Sequence, residues 1–155
     1  MSKLRIPLWV WFYLLRTLRK RGGGYKESGA FLLAKNGTNK VTSFIAYDDL
    51  DPRCLDEGIV IFQGHGFIFL WNHCEENSLH VIADVHTHGG IPARQSESDR
   101  TNPMISRKGH IALILPNFAR NHFLVRTGIG IYEYLGNHLW RQWNHASGRV
   151  AWTIF

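Results

Sequence analysis

The run Leu79-His80-Val81-Ile82-Ala83-Asp84-Val85 ends in His86-Thr87-His88, and that junction restricts what the chain can fold into. A short, mostly apolar run predicts a buried β-strand. Alternate side chains of a strand share a face, so His86 and His88 present both imidazoles to one point where the strand ends. Gly89, Gly90 and Pro92 then turn the chain. Ser96 to Asp99 reads as the first turn of a helix, which returns a carboxylate to the two rings. The pattern H-x-H, seven residues, then S-x-x-D arises by chance in about one chain of this composition in a thousand.

Two imidazoles and a carboxylate suit zinc, which binds such donors at about 2.0–2.2 Å and, in catalytic sites, keeps a fourth position for water. The metal brings the pKa of that water towards about 7. A hydrolase of this kind also needs a carboxylate to take the water's proton and a donor for the oxyanion. Ser96 can supply the donor. Glu27 is the only acidic residue before Asp48 and closely precedes the apolar run Ala30-Phe31-Leu32-Leu33-Ala34; at the mouth of a central strand it faces a site at another strand's end. Glu57, Glu75 and Glu76 are further carboxylates without a role. Taken alone, Ser96-x-x-Asp99 is also an ordinary helix capping box.

Together, Glu27, His86-Thr87-His88, Ser96 and Asp99 resemble the JAMM motif of the JAB/MPN metalloproteases, zinc isopeptidases acting on ubiquitin and ubiquitin-like tails. The resemblance extends in element order over roughly residues 7–135. It implies that His86, His88 and Asp99 bind one Zn2+ with a bound water, that Glu27 is the general base and that Ser96 stabilises the oxyanion. It also implies a ubiquitin-like protein or its conjugate as substrate, in a bacterial conjugation or sulfur-carrier setting. The family usually carries proline after the second histidine; Gly89 stands here, which loosens the turn.

The length of 155 residues fits a single domain, 1–155, with 45% hydrophobic and 13% aromatic residues to fill a core. The net charge of +6 is concentrated in Arg16-Thr17-Leu18-Arg19-Lys20-Arg21, which suits a helix C-terminus. Without a broad aromatic and basic face, a nucleic-acid partner is disfavoured. Cys54 and Cys74 form no C-x-x-C pair, which fits a reducing compartment and hence the cytoplasm. Pro7 and Gly22-Gly23-Gly24 frame an N-terminal helix over 7–21. At about twelve residues its apolar core is too short to span a bilayer. Apolar on nearly all sides, it should lie largely covered beneath a sheet; an exposed face for a protein partner or a membrane surface is the alternative.

Strands are expected at 29–34 and 41–47, joined at Asn36-Gly37. An amphipathic helix is expected over 64–76, and further strands at 110–116 and 128–134, with Phe123-Leu124-Val125 as an edge. Ile59-Val60-Ile61-Phe62 reads as a short strand or an apolar turn, and Asp49 and Asp51 as loop residues before and beside Pro52. Residues 138–155 form an aromatic-rich tail that caps the sheet. The fold class is therefore α/β, one three-layer domain with a mixed sheet flanked by helices, which the resemblance makes JAB/MPN and cytidine-deaminase-like. A zinc deaminase is set aside: His73-Cys74-Glu75 spells H-x-E, but no P-C-x-x-C follows. A non-catalytic MPN-like scaffold is the alternative to a zinc isopeptidase.

Overall fold

The computed structural model describes residues 2–120 and 128–155. Its strands are β1 (Leu4–Pro7), β2 (Gly29–Lys35), β3 (Val41–Ala46), β4 (Leu79–Thr87), β5 (Ile111–Leu115), β6 (Gly130–Gly136), β7 (Leu139–Trp143) and β8 (Val150–Thr153). Its helices are α1 (Leu8–Gly22), α2 (Tyr47–Leu50), α3 (Gly64–Glu76) and α4 (Glu97–Thr101). Along β2, Ala30 and Leu32 face one way, Phe31 and Leu33 the other, and all are buried. A strand apolar on both faces requires a layer on each side.

Those layers are present. Val10, Trp11, Leu14, Leu15 and Leu18 of α1 pack over Ala30, Leu32, Ala83, Val85 and Leu113. On the opposite face Tyr47, Leu50, Cys54, Leu70 and Cys74 cover Phe31 and Leu33. Between them lies a six-stranded sheet in the order β3-β2-β4-β5-β6-β7. Only β4 and β5 run parallel in it. This is the expected three-layer α/β domain with a mixed sheet. Asp84 and His86 of β4 share the face away from α1, because Ala83 and Val85 take the face towards it.

Some elements differ from expectation. Helix α1 has the predicted frame, with Pro7 before it and Gly23 in a left-handed cap at φ 62°, but it is only half covered. Leu8, Trp9, Phe12 and Tyr13 are exposed, because the sheet meets a single face of the helix. Residues 59–62 are not a strand; they lie in the loop between α2 and α3. The tail 138–155 does more than cap, since β7 completes one edge of the main sheet and β8 pairs in parallel with β1. Trp152 of β8 meets Trp11 of α1 edge-on, ring centroids 5.4 Å apart. Strand β1 has no signature in the sequence; four residues including Arg5 and Pro7 carry no alternation long enough to read. Residues 123–125 lie outside the described residues. No helix among the described residues is long and apolar enough to cross a membrane.

Candidate metal centre

Strand β4 carries His86 to its end and His88 one residue beyond. The backbone of His88 is held on both sides: its N–H donates to Leu115 O (2.9 Å), and its carbonyl accepts from Phe118 N–H (2.8 Å). The following turn is therefore not loose. A Cβ at Gly89 would stand 2.8 Å from the Phe118 ring, so the ring occupies the space that a larger residue at that position would need.

Asp99 arrives from the first turn of α4. Its N–H donates to Ser96 Oγ (3.1 Å) while its Oδ2 accepts from Ser96 N–H (2.7 Å), a reciprocal capping box. The Ser96 hydroxyl also donates to Asp99 Oδ2 at 2.9 Å. Both readings of this pair hold together: the box that starts the helix also aims the carboxylate at the histidines.

The two imidazole Nε2 atoms lie 3.1 Å apart. Asp99 Oδ1 is 3.2 Å from His86 Nε2, and Oδ2 is 3.3 Å from His88 Nε2. Donors on a tetrahedron around zinc, at about 2.0–2.1 Å from the metal, stand about 3.3–3.4 Å from each other. The nitrogen, nitrogen and oxygen donors are the types zinc takes, so this group can hold one metal ion. Among the described residues it is the one such group of three.

Charge at the centre agrees with this geometry. Burial opposes ionisation of Asp99, but hydrogen bonds from His86 and His88, and then their fields, outweigh it and hold its carboxyl well below the usual range. Burial likewise opposes protonation of His88, yet the Asp99 carboxylate, with Glu27 behind it, raises its pKa above 6.5. A centre that concentrates negative charge around two imidazoles favours a cation between them.

Glu27 stands at the edge of the group. Its Oε1 is 3.7 Å from His88 Nε2, and its Oε2 accepts from Val60 N–H at 3.1 Å. Its own N–H donates to Gly58 O (3.0 Å), so the loop between α2 and α3 grips this residue twice. Ser28 ties the same segment to α1 through Oγ to Leu18 O (2.7 Å). At Gly29 a Cβ would collide with the Tyr47 ring and lie 2.7 Å from Val85 O, which accounts for glycine two residues after Glu27.

The structure brings together all five residues singled out in the sequence. It adds partners the sequence did not reveal. Val60 and Phe118 act through backbone groups or ring packing, which leave no spacing signature. Behind His86 on the same face, buried Asp84 accepts from Tyr47 OH (3.3 Å) and lies 2.7 Å from His110 Nε2. The acidic residues that follow β3, and Cys54 beside them, do not join the group. Asp48 and Asp49 pair with Arg21, and Asp51 accepts from Gln63 N–H (2.8 Å). Burial, with Asp48 and Asp51 adding to it, pushes the Cys54 thiol up to about 12, so it carries no thiolate at neutral pH.

No protein-family description matches this sequence. Solved structures do match the fold. A JAB1/MPN domain protein from Archaeoglobus fulgidus superposes with a TM-score of 0.54 at 15% identity, over 93% of this chain and 96% of that one. The fold is MPN-like. A protein from Desulfitobacterium hafniense, solved in solution, matches with a TM-score of 0.67 at 13% identity, over 96% of this chain and 92% of that one. At such identities the likeness concerns the MPN-like fold itself; the chemistry rests on the side chains described above.

Proposed function

We propose that this protein is a zinc metalloprotease of the JAMM type, hydrolysing a peptide or isopeptide bond at the C-terminal tail of a ubiquitin-like protein. The observation that carries the reading is the convergence of His86, His88 and the two Asp99 oxygens to 3.1–3.3 Å, with Glu27 at their edge. An MPN-like fold around that group supports it, as does the sequence resemblance. A bacterial ubiquitin-like conjugation system in the cytoplasm is the setting this reading favours.

When bound, zinc would supply a Lewis acid and an acidified water. Glu27, held by Val60 through one oxygen, keeps the other free to take a proton from water and return it to the leaving amine. Its Oε1 stands 3.7 Å from His88 Nε2, which puts the carboxylate beside the ligand set, where a bound water would lie. Ser96 is the oxyanion donor; a hydroxyl rotates freely about its C–O bond, so its hydrogen can leave Asp99 for the developing charge. The exposed Ile59 and Ile61 flank Val60, giving an extended substrate tail an apolar surface beside the general base.

Metal content decides the first half of this proposal. Protein purified without added zinc should carry close to one zinc per chain, and Asp99→Ala should lose most of it. Cleavage of a ubiquitin-like protein extended at its C-terminus decides the second half, with Glu27→Gln expected to lower turnover at least a hundredfold while retaining zinc. Absence of metal in both proteins, even when zinc is offered, would sink the enzyme and leave a non-catalytic scaffold.

A further inference from the structure

Helix α1 has two faces of different kinds. The buried one is set by Val10, Trp11, Leu14, Leu15 and Leu18. At 100° per residue the opposite face carries Leu8, Trp9, Phe12, Tyr13, Arg16, Arg19 and Lys20, all exposed. It is divided along the axis: the first half is apolar and largely aromatic, the second half is basic, and the helix contains no acidic residue. Trp9 and Tyr13 leave 56% and 55% of their surface open to solvent. Arg21, by contrast, is neutralised by Asp48 and Asp49 and belongs to the fold.

The apolar end continues beyond the helix. Strands β1 and β8 run in parallel with Pro7 opposite Thr153, so the chain leaves β8 beside the start of α1. There Ile154 and Phe155 are exposed at 74% and 81%. An aromatic tip of this kind with a basic collar behind it matches the layering of an anionic bilayer. Tryptophan and tyrosine favour the interface, and arginine and lysine favour the phosphates just outside it. One turn of helix, about 5.4 Å, separates Phe12 from Arg16, comparable to a headgroup layer of about 5–8 Å.

We propose that this face of α1 docks the protein on anionic membrane surfaces, the aromatic tip entering the interface and Arg16, Arg19 and Lys20 meeting lipid phosphates. It binds peripherally, entering by the tip of the helix without spanning. The helix leads to Glu27 at its other end, so the tip lies about 20 Å of helix length from the metal centre. Docking therefore leaves that centre open to a substrate in solution.

Sedimentation with vesicles tests this, using phosphatidylcholine alone and phosphatidylcholine with about a third phosphatidylglycerol. The intact protein should pellet with the anionic vesicles at least tenfold more than with the neutral ones, and salt should weaken the binding. The double variant W9E/Y13E and the double variant R16E/K20E should each lose at least tenfold in binding. Both change only exposed side chains, so circular dichroism and melting should match the parent. No pelleting by the intact protein would overturn the proposal. So would undiminished pelleting of W9E/Y13E, which would mean charge alone, and so would equal pelleting without vesicles, which would mean self-association through this face in place of lipid binding.

Discussion

Ser28 and Thr87 bind each other through two hydrogen bonds: Ser28 N–H donates to Thr87 Oγ1 at 3.0 Å, and Thr87 N–H donates to Ser28 O at 2.9 Å. The residue between the two histidines is thereby joined to the residue after Glu27. The strand that carries His86 and the segment that carries Glu27 are held in one register, although they lie far apart in sequence. Both partners are buried, so neither bond can be replaced by water.

Thr87→Val keeps the shape of the side chain and removes the acceptor. The buried Ser28 N–H then has no partner, at a cost of about 1–3 kcal/mol. Urea denaturation should show that loss. Zinc content should persist, because His86 and His88 stay on the strand, whereas turnover should fall with the displaced Glu27. A variant as stable as the parent would mean that this bond does not fix the register.

Gly89→Pro installs the residue usual in the resembling family and should harm this protein. The Phe118 ring fills the position a Cβ would take, and overpacking of this kind costs about 1–3 kcal/mol. Phe118→Ala in the same chain should recover part of the loss. A double-mutant cycle in thermal unfolding reads the coupling directly; additive effects would show that the ring does not explain the glycine.

The candidate metal centre was legible because two short-range regularities met there. Strand alternation aligns His86 with His88, and the capping pattern puts Asp99 in a first helical turn. Glu27 was legible by scarcity, as the only acidic residue before Asp48. The layering followed from runs apolar on both strand faces. The exposed half of α1 was not legible, since Trp9, Phe12 and Tyr13 look as buried as Leu14 and Leu18 to any pattern of apolar residues. Only the position of the sheet separates them. The loop from α2 to α3 was likewise hidden, because it grips Glu27 with backbone groups at Gly58 and Val60 that any sequence would supply.

Zinc binding should weaken as pH falls. In the metal-free protein the pKa of His88 is raised: burial opposes the charge, but Asp99 and Glu27 outweigh it. The stabilisation from its protonated form is complete below 6.5 and is lost as pH rises through the raised value. The metal needs the neutral ring and must displace that proton. Asp99, with its pKa held down, is ionised throughout and releases none. Affinity should therefore fall by up to about tenfold per pH unit once the pH drops below that raised value. Calorimetry in buffers of different ionisation heat should find proton release on binding; no release near neutral pH would contradict a raised His88.

Asp51 offers the last test, because it acts on Glu27 without touching it. Its buried carboxylate accepts from Gln63 N–H at 2.8 Å and from Arg53 N–H at 3.4 Å, closing the loop that carries Gly58 and Val60. Asp51→Ala leaves the Gln63 N–H without its partner, at about 1–3 kcal/mol. The loop then loosens, and with it the bond from Val60 to Glu27. Zinc content should be unchanged, since no proposed ligand rests on this loop, while kcat should fall with Glu27 and KM should rise with Ile59 and Ile61, which the same loop carries. The conservative variant Asp51→Asn retains one acceptor oxygen and should recover part of the rate. Equal loss of zinc and rate in Asp51→Ala would mean general unfolding, and an unchanged rate would mean that Glu27 holds its position without the loop.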